Sequence, residues 1–135
     1  MKEEPSIIRC LLVVEDNEEV RSIFVDAFEA AGYQVLCAGH GEEAVEVMSR
    51  SKYEVDVILT DLRMPVMDGL EFAIKIKSDT RHAGIPIVLL SATPTRSLTE
   101  TLTVFSAVLL KPCSLSLLIS TVEAVCTPKG SEGKN

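Results

Sequence analysis

Polar side chains follow four apolar runs of this chain, at the point where each run ends. They are Glu15 with Asp16, then Asp61, then Ser91, then Lys111. Unbroken apolar runs of this length are typical of the central strands of a parallel sheet that is covered on both faces. Because parallel strands all end at the same edge of the sheet, we expect an acid pair, a lone carboxylate, a hydroxyl and an ammonium group to converge on one pocket.

The chemistry of such a pocket is set by its charges. Glu15, Asp16 and Asp61 would bring three carboxylates together, which costs free energy unless a cation is present. Mg²⁺ suits this set because it prefers oxygen ligands, few carboxylates and a shared phosphate. The ammonium of Lys111 and the hydroxyl of Ser91 would then favour a phosphoryl group. These groups together predict a carboxylate, Asp61, that accepts a phosphoryl group and forms an aspartyl phosphate.

Strand-like and helix-like apolar patterns alternate along the chain, which indicates β-α-β units. Asn17 is the predicted N-cap of the first helix, and Gly32 its C′ residue. We expect strands over Ile8–Val14, Gln34–Ala38, Val55–Thr60, Ile87–Leu90 and Ala107–Leu110. We expect helices over Glu18–Ala31, Gly41–Ser51, Leu70–Ser78 and Leu115–Cys126, with a weak or mobile one near Thr95–Val104.

Composition limits the classes of partner. The chain has 135 residues, enough for one domain, and a formal net charge of −7, which argues against direct nucleic-acid binding. No apolar run is long enough to span a membrane and no signal peptide is recognisable, so we expect a cytoplasmic protein with no membrane partner. The four cysteines lack metal-type spacing and are expected to be reduced, buried thiols: Cys10, Cys37, Cys113 and Cys126.

The motifs resemble those of a receiver domain of a two-component response regulator, similar to the chemotaxis regulators. The resemblance rests on Val13-Val14-Glu15-Asp16, on the string Asp61-Leu62-Arg63-Met64-Pro65-Val66-Met67-Asp68-Gly69, on Leu90-Ser91-Ala92, and on Leu110-Lys111-Pro112. It implies a flavodoxin-like α/β fold, a single doubly wound parallel sheet of five strands in the order 2-1-3-4-5. The receiver domain would cover residues 7–126, and residues 127–135 would form a flexible tail.

The resemblance also implies a role for each site residue. Asp61 matches the phosphoacceptor, Asp16 the direct Mg²⁺ ligand and Glu15 its water-mediated neighbour. Arg63 matches the position whose backbone carbonyl binds the metal. Ser91 matches the switch hydroxyl and Lys111 the lysine that pairs with the phosphoryl group; the Lys111–Pro112 bond resembles one that is usually cis. The phosphoryl donor would be a sensor histidine kinase or a phosphotransfer protein, and the domain would catalyse only its own phosphorylation and slow dephosphorylation.

The chain departs from the family pattern at three places. The family usually carries an aromatic residue three positions before the lysine and often another after the proline, whereas this chain has Val108 and Cys113. The glycine that often precedes the last strand is also missing from residues 103–107. We expect the phosphorylation chemistry to survive, and we expect signalling with modest structural change, through altered mobility of the helix near Thr95–Val104.

Other functions compete with this interpretation. A haloacid-dehalogenase-type phosphatase also uses a strand-end aspartate with Mg²⁺, but it has a second acid two residues later, where this chain has Arg63. A pseudo-receiver would keep the fold as a constitutive protein-binding module without phosphorylation. A flavodoxin-like cofactor binder would need a phosphate-binding loop after the first strand, where Glu15 and Asp16 would repel a phosphate unless a metal intervened.

Overall fold

The computed structural model describes residues 8–92 and 104–126. Its core is one sheet of five parallel strands in the order β2-β1-β3-β4-β5, which confirms the predicted fold class and strand order. The strands are β1 (Cys10–Val14), β2 (Gln34–Ala38), β3 (Val57–Asp61), β4 (Ile87–Ser91) and β5 (Ala107–Leu110).

Helices cover both faces of the sheet. Those of the described residues are α1 (Glu18–Ala30), α2 (Gly41–Arg50), α3 (Gly69–Ser78) and α4 (Leu115–Val125). Side chains of a strand alternate between the two faces, so Leu12 and Val14 join the core under α2 and α3, while Leu11 and Val13 join the core under α1 and α4. The sheet is therefore packed between two aliphatic layers, and its functional edge is the line where the strands end.

The strands differ in how deeply they are buried. Every residue of β1, β3 and β4 is buried, as the apolar runs predict. β5 lies at the edge of the sheet, as the predicted strand order implies. Its first three residues are half-buried and Leu110 is 51% exposed, although its apolar run alone is typical of a central strand. The site is thus built from three fully buried strands and one edge strand.

Local signals at the helix ends explain where the helices begin and stop. The side chain of Asn17 accepts a hydrogen bond from the Val20 N–H, which confirms it as the N-cap of α1. Gly32 follows the end of α1 with φ +100°, a conformation that glycine adopts without a steric penalty. Asp68, which the sequence indicates only as a turn residue, caps α3 through a capping box with Glu71.

Some large apolar residues of the helices are exposed in the structure. Ile23 of α1 is 52% exposed and Ile74 of α3 is 48% exposed, because each lies at the border of its helical stripe. Leu115, the first residue of α4, is exposed as well. The cysteines differ in exposure: Cys10 and Cys126 are buried, but Cys37 is exposed on β2, so the expectation that all four are buried was wrong.

Part of the sequence-based expectation falls outside the described residues. This holds for the helix near Thr95–Val104 over residues 95–103, for residue 7 at the expected domain start, and for the expected tail over 127–135. Within the described ranges, no helix combines the length and the apolar character that crossing a membrane requires.

Candidate functional site

The register of the sheet brings the predicted site residues to one edge. Val14, the last residue of β1, pairs with Thr60, so Glu15 and Asp61 follow at the same level on neighbouring strands. On the other side, β3 pairs Asp61 with Leu90 of β4, and Ser91 is the next residue. Ser91 pairs in turn with Leu110 of β5, which directly precedes Lys111. The four strand ends predicted from the sequence therefore do converge.

Three carboxylates meet at this edge. One oxygen each from Glu15, Asp16 and Asp61 lies within 4.8 Å of the others. Glu15 is 3% exposed and Asp61 8% exposed, whereas Asp16 faces solvent. A set of oxygen donors that is partly buried and open on one side suits a hard divalent cation that keeps some of its waters. The donor chemistry therefore fits the expected Mg²⁺, with Glu15, Asp16 and Asp61 as the residues that would hold it.

The charges within the cluster also favour a bound cation. The pKa of Glu15 is raised from 4.5 to about 7, chiefly by burial and in addition by the negative charges of Asp61 and Asp16. The hydrogen bond from the Asn17 N–H to Glu15 Oε2, at 3.0 Å, and the charge of Lys111 act in the opposite direction. In the metal-free protein, the cluster therefore holds more negative charge than its single lysine balances, and a bound cation would relieve that excess.

Lys111 completes the site from the edge strand. Its Nζ lies 2.9 Å from Asp61 Oδ1, which forms a direct ion pair with the predicted phosphoacceptor. Its backbone N–H donates to the carbonyl oxygen of Ser91 at 2.8 Å, so the lysine backbone is fixed to the end of β4. Ser91 is 1% exposed, and the Lys111–Pro112 peptide bond is cis, as the resemblance implies.

The turn after Asp61 is tightly constrained. Gly69, the first residue of α3, donates its N–H to the Leu62 carbonyl oxygen at 2.7 Å, and a Cβ at Gly69 would collide with the Asp61 carbonyl oxygen. Val66 has φ +69°, and Met67 N–H donates to the Pro65 carbonyl oxygen at 2.7 Å, which forms a γ-turn. A β-branched residue in this conformation is strained by about 1 to 3 kcal/mol.

The remaining residues of this turn differ in exposure. Met64 and Met67 are partly buried and pack against the core under α2 and α3. The Arg63 side chain is exposed, and the metal-binding role of its backbone carbonyl stays a prediction. The individual roles of Asp61, Ser91 and Lys111 likewise stay predictions, although the structure places all three at one sheet edge.

Several interacting residues were missed by sequence reasoning. Arg21 of α1 donates from Nη1 to the Glu15 carbonyl oxygen at 2.8 Å. His40 caps α2, and the His82 Nδ1 lies 3.3 Å from Asp79 Oδ2. The position of Arg21, one helical turn after Asn17, could have indicated a side chain that returns to the strand end, whereas nothing in the local sequence around His82 indicates its contact.

Comparison with known proteins identifies the same type of domain. The model of the response regulator receiver domain matches residues 11–123. The chain is 39% identical to the chemotaxis protein CheY1 of Helicobacter pylori over 82 residues, which are 60% of this chain and 65% of that protein. The matched stretch thus spans slightly less than two thirds of the relative.

Solved structures extend the match to most of the chain. The chemotaxis protein CheY4 of Vibrio cholerae superposes with a TM-score of 0.81 at 28% identity, over 88% of this chain and 99% of that one. The receiver domain of the sensor histidine kinase PA1611 from Pseudomonas aeruginosa PAO1 gives a TM-score of 0.75 at 28% identity, over 87% of this chain and 97% of that one. That structure has a magnesium ion coordinated in its active-site cleft. The chain therefore belongs to the response regulator receiver domain family.

Proposed function

We propose that this domain accepts a phosphoryl group from a phosphohistidine onto Asp61, with Mg²⁺, and that the acyl phosphate changes a protein-interaction surface. The observation that carries the proposal is the geometry around Asp61. A lysine ammonium lies 2.9 Å from its carboxylate, and one carboxylate oxygen each of Glu15 and Asp16 lies within 4.8 Å of an Asp61 oxygen. A carboxylate between a cation site and a fixed lysine is suited to nucleophilic attack on phosphorus.

The transfer can be written from the residues present. An oxygen of the Asp61 carboxylate attacks the phosphorus, and the bond between phosphorus and the imidazole nitrogen of the donor breaks. The electron pair of that bond goes to the imidazole nitrogen, and the phosphoryl group becomes part of an acyl phosphate on Asp61. Lys111 would balance the negative charge of the transferred oxygens, and the buried hydroxyl of Ser91 would donate to one of them. Mg²⁺, when bound, supplies further positive charge.

The proposed partners follow from this chemistry. The donor is a sensor histidine kinase or a histidine phosphotransfer protein, and one structural relative is itself the receiver domain of such a kinase. Because these kinases form phosphohistidine from ATP, the proposed exchange belongs in the cytoplasm. The domain would act on no other substrate: it would catalyse its own phosphorylation and, slowly, the hydrolysis of its own acyl phosphate by water.

Intact-mass spectrometry tests the proposal directly. The protein is incubated with Mg²⁺ and either acetyl phosphate or phosphoramidate, whose P–N bond resembles that of phosphohistidine. We expect one added phosphoryl group that hydroxylamine removes. It should be absent in Asp61→Asn and after chelation of Mg²⁺, and present in the matched control Asp26→Asn, which alters an exposed aspartate of α1.

Two results would contradict the proposal. The first is no adduct on the folded wild-type protein with either donor, together with no binding of beryllofluoride, which would favour the pseudo-receiver that binds a partner constitutively. The second is an adduct that persists in Asp61→Asn, which would place the acceptor at another residue.

A further inference from the structure

Arg21 reaches back from the first turn of α1 to the end of β1. Its backbone N–H bonds to the Asn17 carbonyl oxygen at 2.9 Å as part of the helix, and its guanidinium Nη1 donates to the Glu15 carbonyl oxygen at 2.8 Å. The side chain is half-buried. A residue of the helix is thus bonded to the backbone of a predicted metal-site acid.

The Glu15 carbonyl lies just beyond the parallel ladders of β1. The last pairs of those ladders are Val14 with Ala38 of β2 and Val14 with Thr60 of β3. The Glu15 N–H still donates to the Ala38 carbonyl oxygen at 3.0 Å, but the carbonyl of Glu15 points past the paired region. Buried carbonyl groups need a donor, and the guanidinium supplies one here.

The position of this carbonyl controls two carboxylates at once. The carbonyl of Glu15 and the N–H of Asp16 belong to one planar peptide unit. A bond that holds the carbonyl therefore restrains the orientation of the whole plane, and it restrains the ψ angle of Glu15 and the φ angle of Asp16, on which the directions of both side chains depend. The Glu15 side chain is also fixed by the Asn17 N–H at 3.0 Å, whereas the exposed Asp16 side chain depends more strongly on the backbone that carries it.

The guanidinium also lies close to the turn between β2 and α2. A Cβ at Gly39 would lie 3.5 Å from Arg21 Nη1, so the guanidinium lies beside this turn. The Gly39 N–H donates to Glu43 Oε1 at 2.7 Å, which fixes the turn to α2. The guanidinium is therefore close to two segments that are themselves held by hydrogen bonds.

Helix stability does not explain a cation at this position. The first turn of α1 carries Glu18 and Glu19, which suit the positive end of the helix dipole. A positive side chain so close to the helix start gains nothing from that dipole, and an arginine that extends into solvent would serve solubility equally well. The hydrogen bond to the Glu15 carbonyl oxygen gives an arginine at position 21 a specific structural role.

We propose that Arg21 is a positioning residue for the divalent cation: by holding the Glu15 carbonyl, it orients the Glu15–Asp16 peptide unit and so sets the affinity of the site for Mg²⁺. The inference rests on the proposed function of the same site. Lysine cannot replace arginine here, because its ammonium is a compact point charge on a flexible stem and lacks the planar fork of donors.

The test compares Mg²⁺ affinity with stability in the same variants. Isothermal titration with Mg²⁺ gives the dissociation constant, and urea unfolding in excess chelator gives the stability without metal. The variants are Arg21→Gln and Arg21→Lys, with Arg50→Gln as a matched control on the exposed last turn of α2. We expect both Arg21 variants to bind Mg²⁺ at least about tenfold more weakly, as is typical when an outer partner of a metal ligand is lost.

Further readouts separate positioning from a general structural role. The control should match the wild type, and the Arg21 variants should regain most of the wild-type phosphorylation rate once Mg²⁺ is saturating. Should Arg21→Gln fail to fold, Arg21→Lys alone decides the question, because it preserves the charge and the length of the apolar stem to a large extent.

Three outcomes would overturn the inference. Wild-type Mg²⁺ affinity in a folded Arg21 variant shows that the bond does not position the acids. Full recovery of affinity in Arg21→Lys shows that charge, not geometry, is what the site needs. A phosphorylation rate that stays low at saturating Mg²⁺ shows a role outside cation binding. By contrast, failure of the wild-type protein itself to bind Mg²⁺ would contradict the proposed function.

Discussion

The two sides of Asp61 are built differently. The central region comprises the ends of β1 and β3, with Glu15, Asp16, Asp61 and Gly69; the edge region comprises residues 108–113 at the end of β5. In the central region, strands buried along their whole length carry the acids, and backbone hydrogen bonds continue past the strand ends. In the edge region, a half-buried strand carries the lysine, and Leu110 is 51% exposed.

The central region and the edge region therefore have different structural requirements. The acids must stand at fixed distances from one another, and deep burial together with backbone bonds provides that. The lysine is tied to the rest of the site by its ion pair with Asp61 and by one backbone bond to Ser91. A change in charge on Asp61 would therefore alter the contacts of the edge region first. With Val108 in place of an aromatic residue, we expect this response to involve the strand end and its neighbours rather than a large side-chain swing.

The largest expected effect comes from crowding the central region at Gly69. Gly69→Ala places a methyl group against the Asp61 carbonyl oxygen and 3.0 Å from the Leu62 Cα, both backbone atoms that cannot move aside freely. We expect a loss of about 3 kcal/mol in the free energy of unfolding, the upper range for overpacking. Urea denaturation measures it.

The matched control for that variant is Gly84→Ala. Gly84 is exposed, and a Cβ there would have no heavy atom within 4 Å, so we expect a change within about 0.5 kcal/mol. Equal stability losses in the two variants would contradict the picture of a rigid central region.

Removing the ammonium of the edge region should have opposite effects on two measurements. In Lys111→Met, the phosphorylation rate with acetyl phosphate should fall about 100-fold, because a donor that stabilises transferring charge is lost. The affinity for Mg²⁺ should rise, because the ammonium no longer competes for Asp61, which it contacts at 2.9 Å. Mass spectrometry over time and isothermal titration give the two values.

An exposed lysine of α3 provides the control for this pair of effects. Lys75→Met removes a positive charge outside the site and should leave both values close to wild type. Weaker Mg²⁺ binding in Lys111→Met would show that the lysine supports the cation site, and the two regions would then not be separate in function.

The raised pKa of Glu15 predicts a pH dependence that belongs to the central region. Below pH 7, a cation has to displace the proton of Glu15, so the Mg²⁺ dissociation constant should rise toward tenfold per pH unit between pH 7 and pH 5. Glu15→Gln should remove most of this dependence, while Glu19→Gln, on the exposed first turn of α1, should retain it. Titrations at several pH values decide between these outcomes.

The same shift affects the metal-free protein. Because burial raises the pKa of Glu15 from 4.5 to about 7, the folded state binds more protons than the unfolded state between these values. The contribution of this Glu15 pKa shift to the free energy of unfolding is therefore fully present below pH 4.5 and is lost as the pH rises to about 7. The free energy of unfolding, measured in the presence of a chelator, should fall between pH 4.5 and about pH 7 in the wild type, and it should fall less in Glu15→Gln.

A further comparison makes the same truncation in the two regions. Val14 is 1% exposed at the end of β1, whereas Val108 is half-buried in β5, and both contact the core under α2 and α3. We expect Val14→Ala to cost about 2 to 3 kcal/mol and Val108→Ala about 1 kcal/mol. If urea unfolding gave Val108→Ala the larger cost, β5 would be as firmly packed as the central strands.

Sequence reasoning predicted well what depends on pattern. The strand order was implied by the resemblance to receiver domains. The apolar runs, the alternation of strands and helices, and the polar residues at the run ends predict a parallel sheet and bring Glu15, Asp61 and Lys111 together. These features follow from periodicity and from the geometry of parallel sheets, and neither requires knowledge of individual contacts.

Contacts made by long side chains were harder to predict. Arg21 bonds to a backbone carbonyl six residues earlier, and Lys77 donates from Nζ to the Ala83 and Ile85 carbonyl oxygens at 3.0 and 2.9 Å. Burial of its stem was expected from the stripe of α3, but the two acceptors lie in a loop whose path has no periodic signal. Burial lowers the pKa of Lys77, which the sequence alone could not show.

The exposure of Cys37 has a practical consequence for labelling. Cys10 and Cys126 are buried, and Cys113 is partly covered with its thiol pKa raised by burial, so an alkylating reagent at neutral pH should modify Cys37 first. Cys37 lies on β2, at the opposite edge of the sheet from the strand that precedes Lys111. A dye or spin label can therefore be attached to Cys37 without any substitution, at the edge of the sheet opposite Lys111, to report on changes at the Lys111 edge.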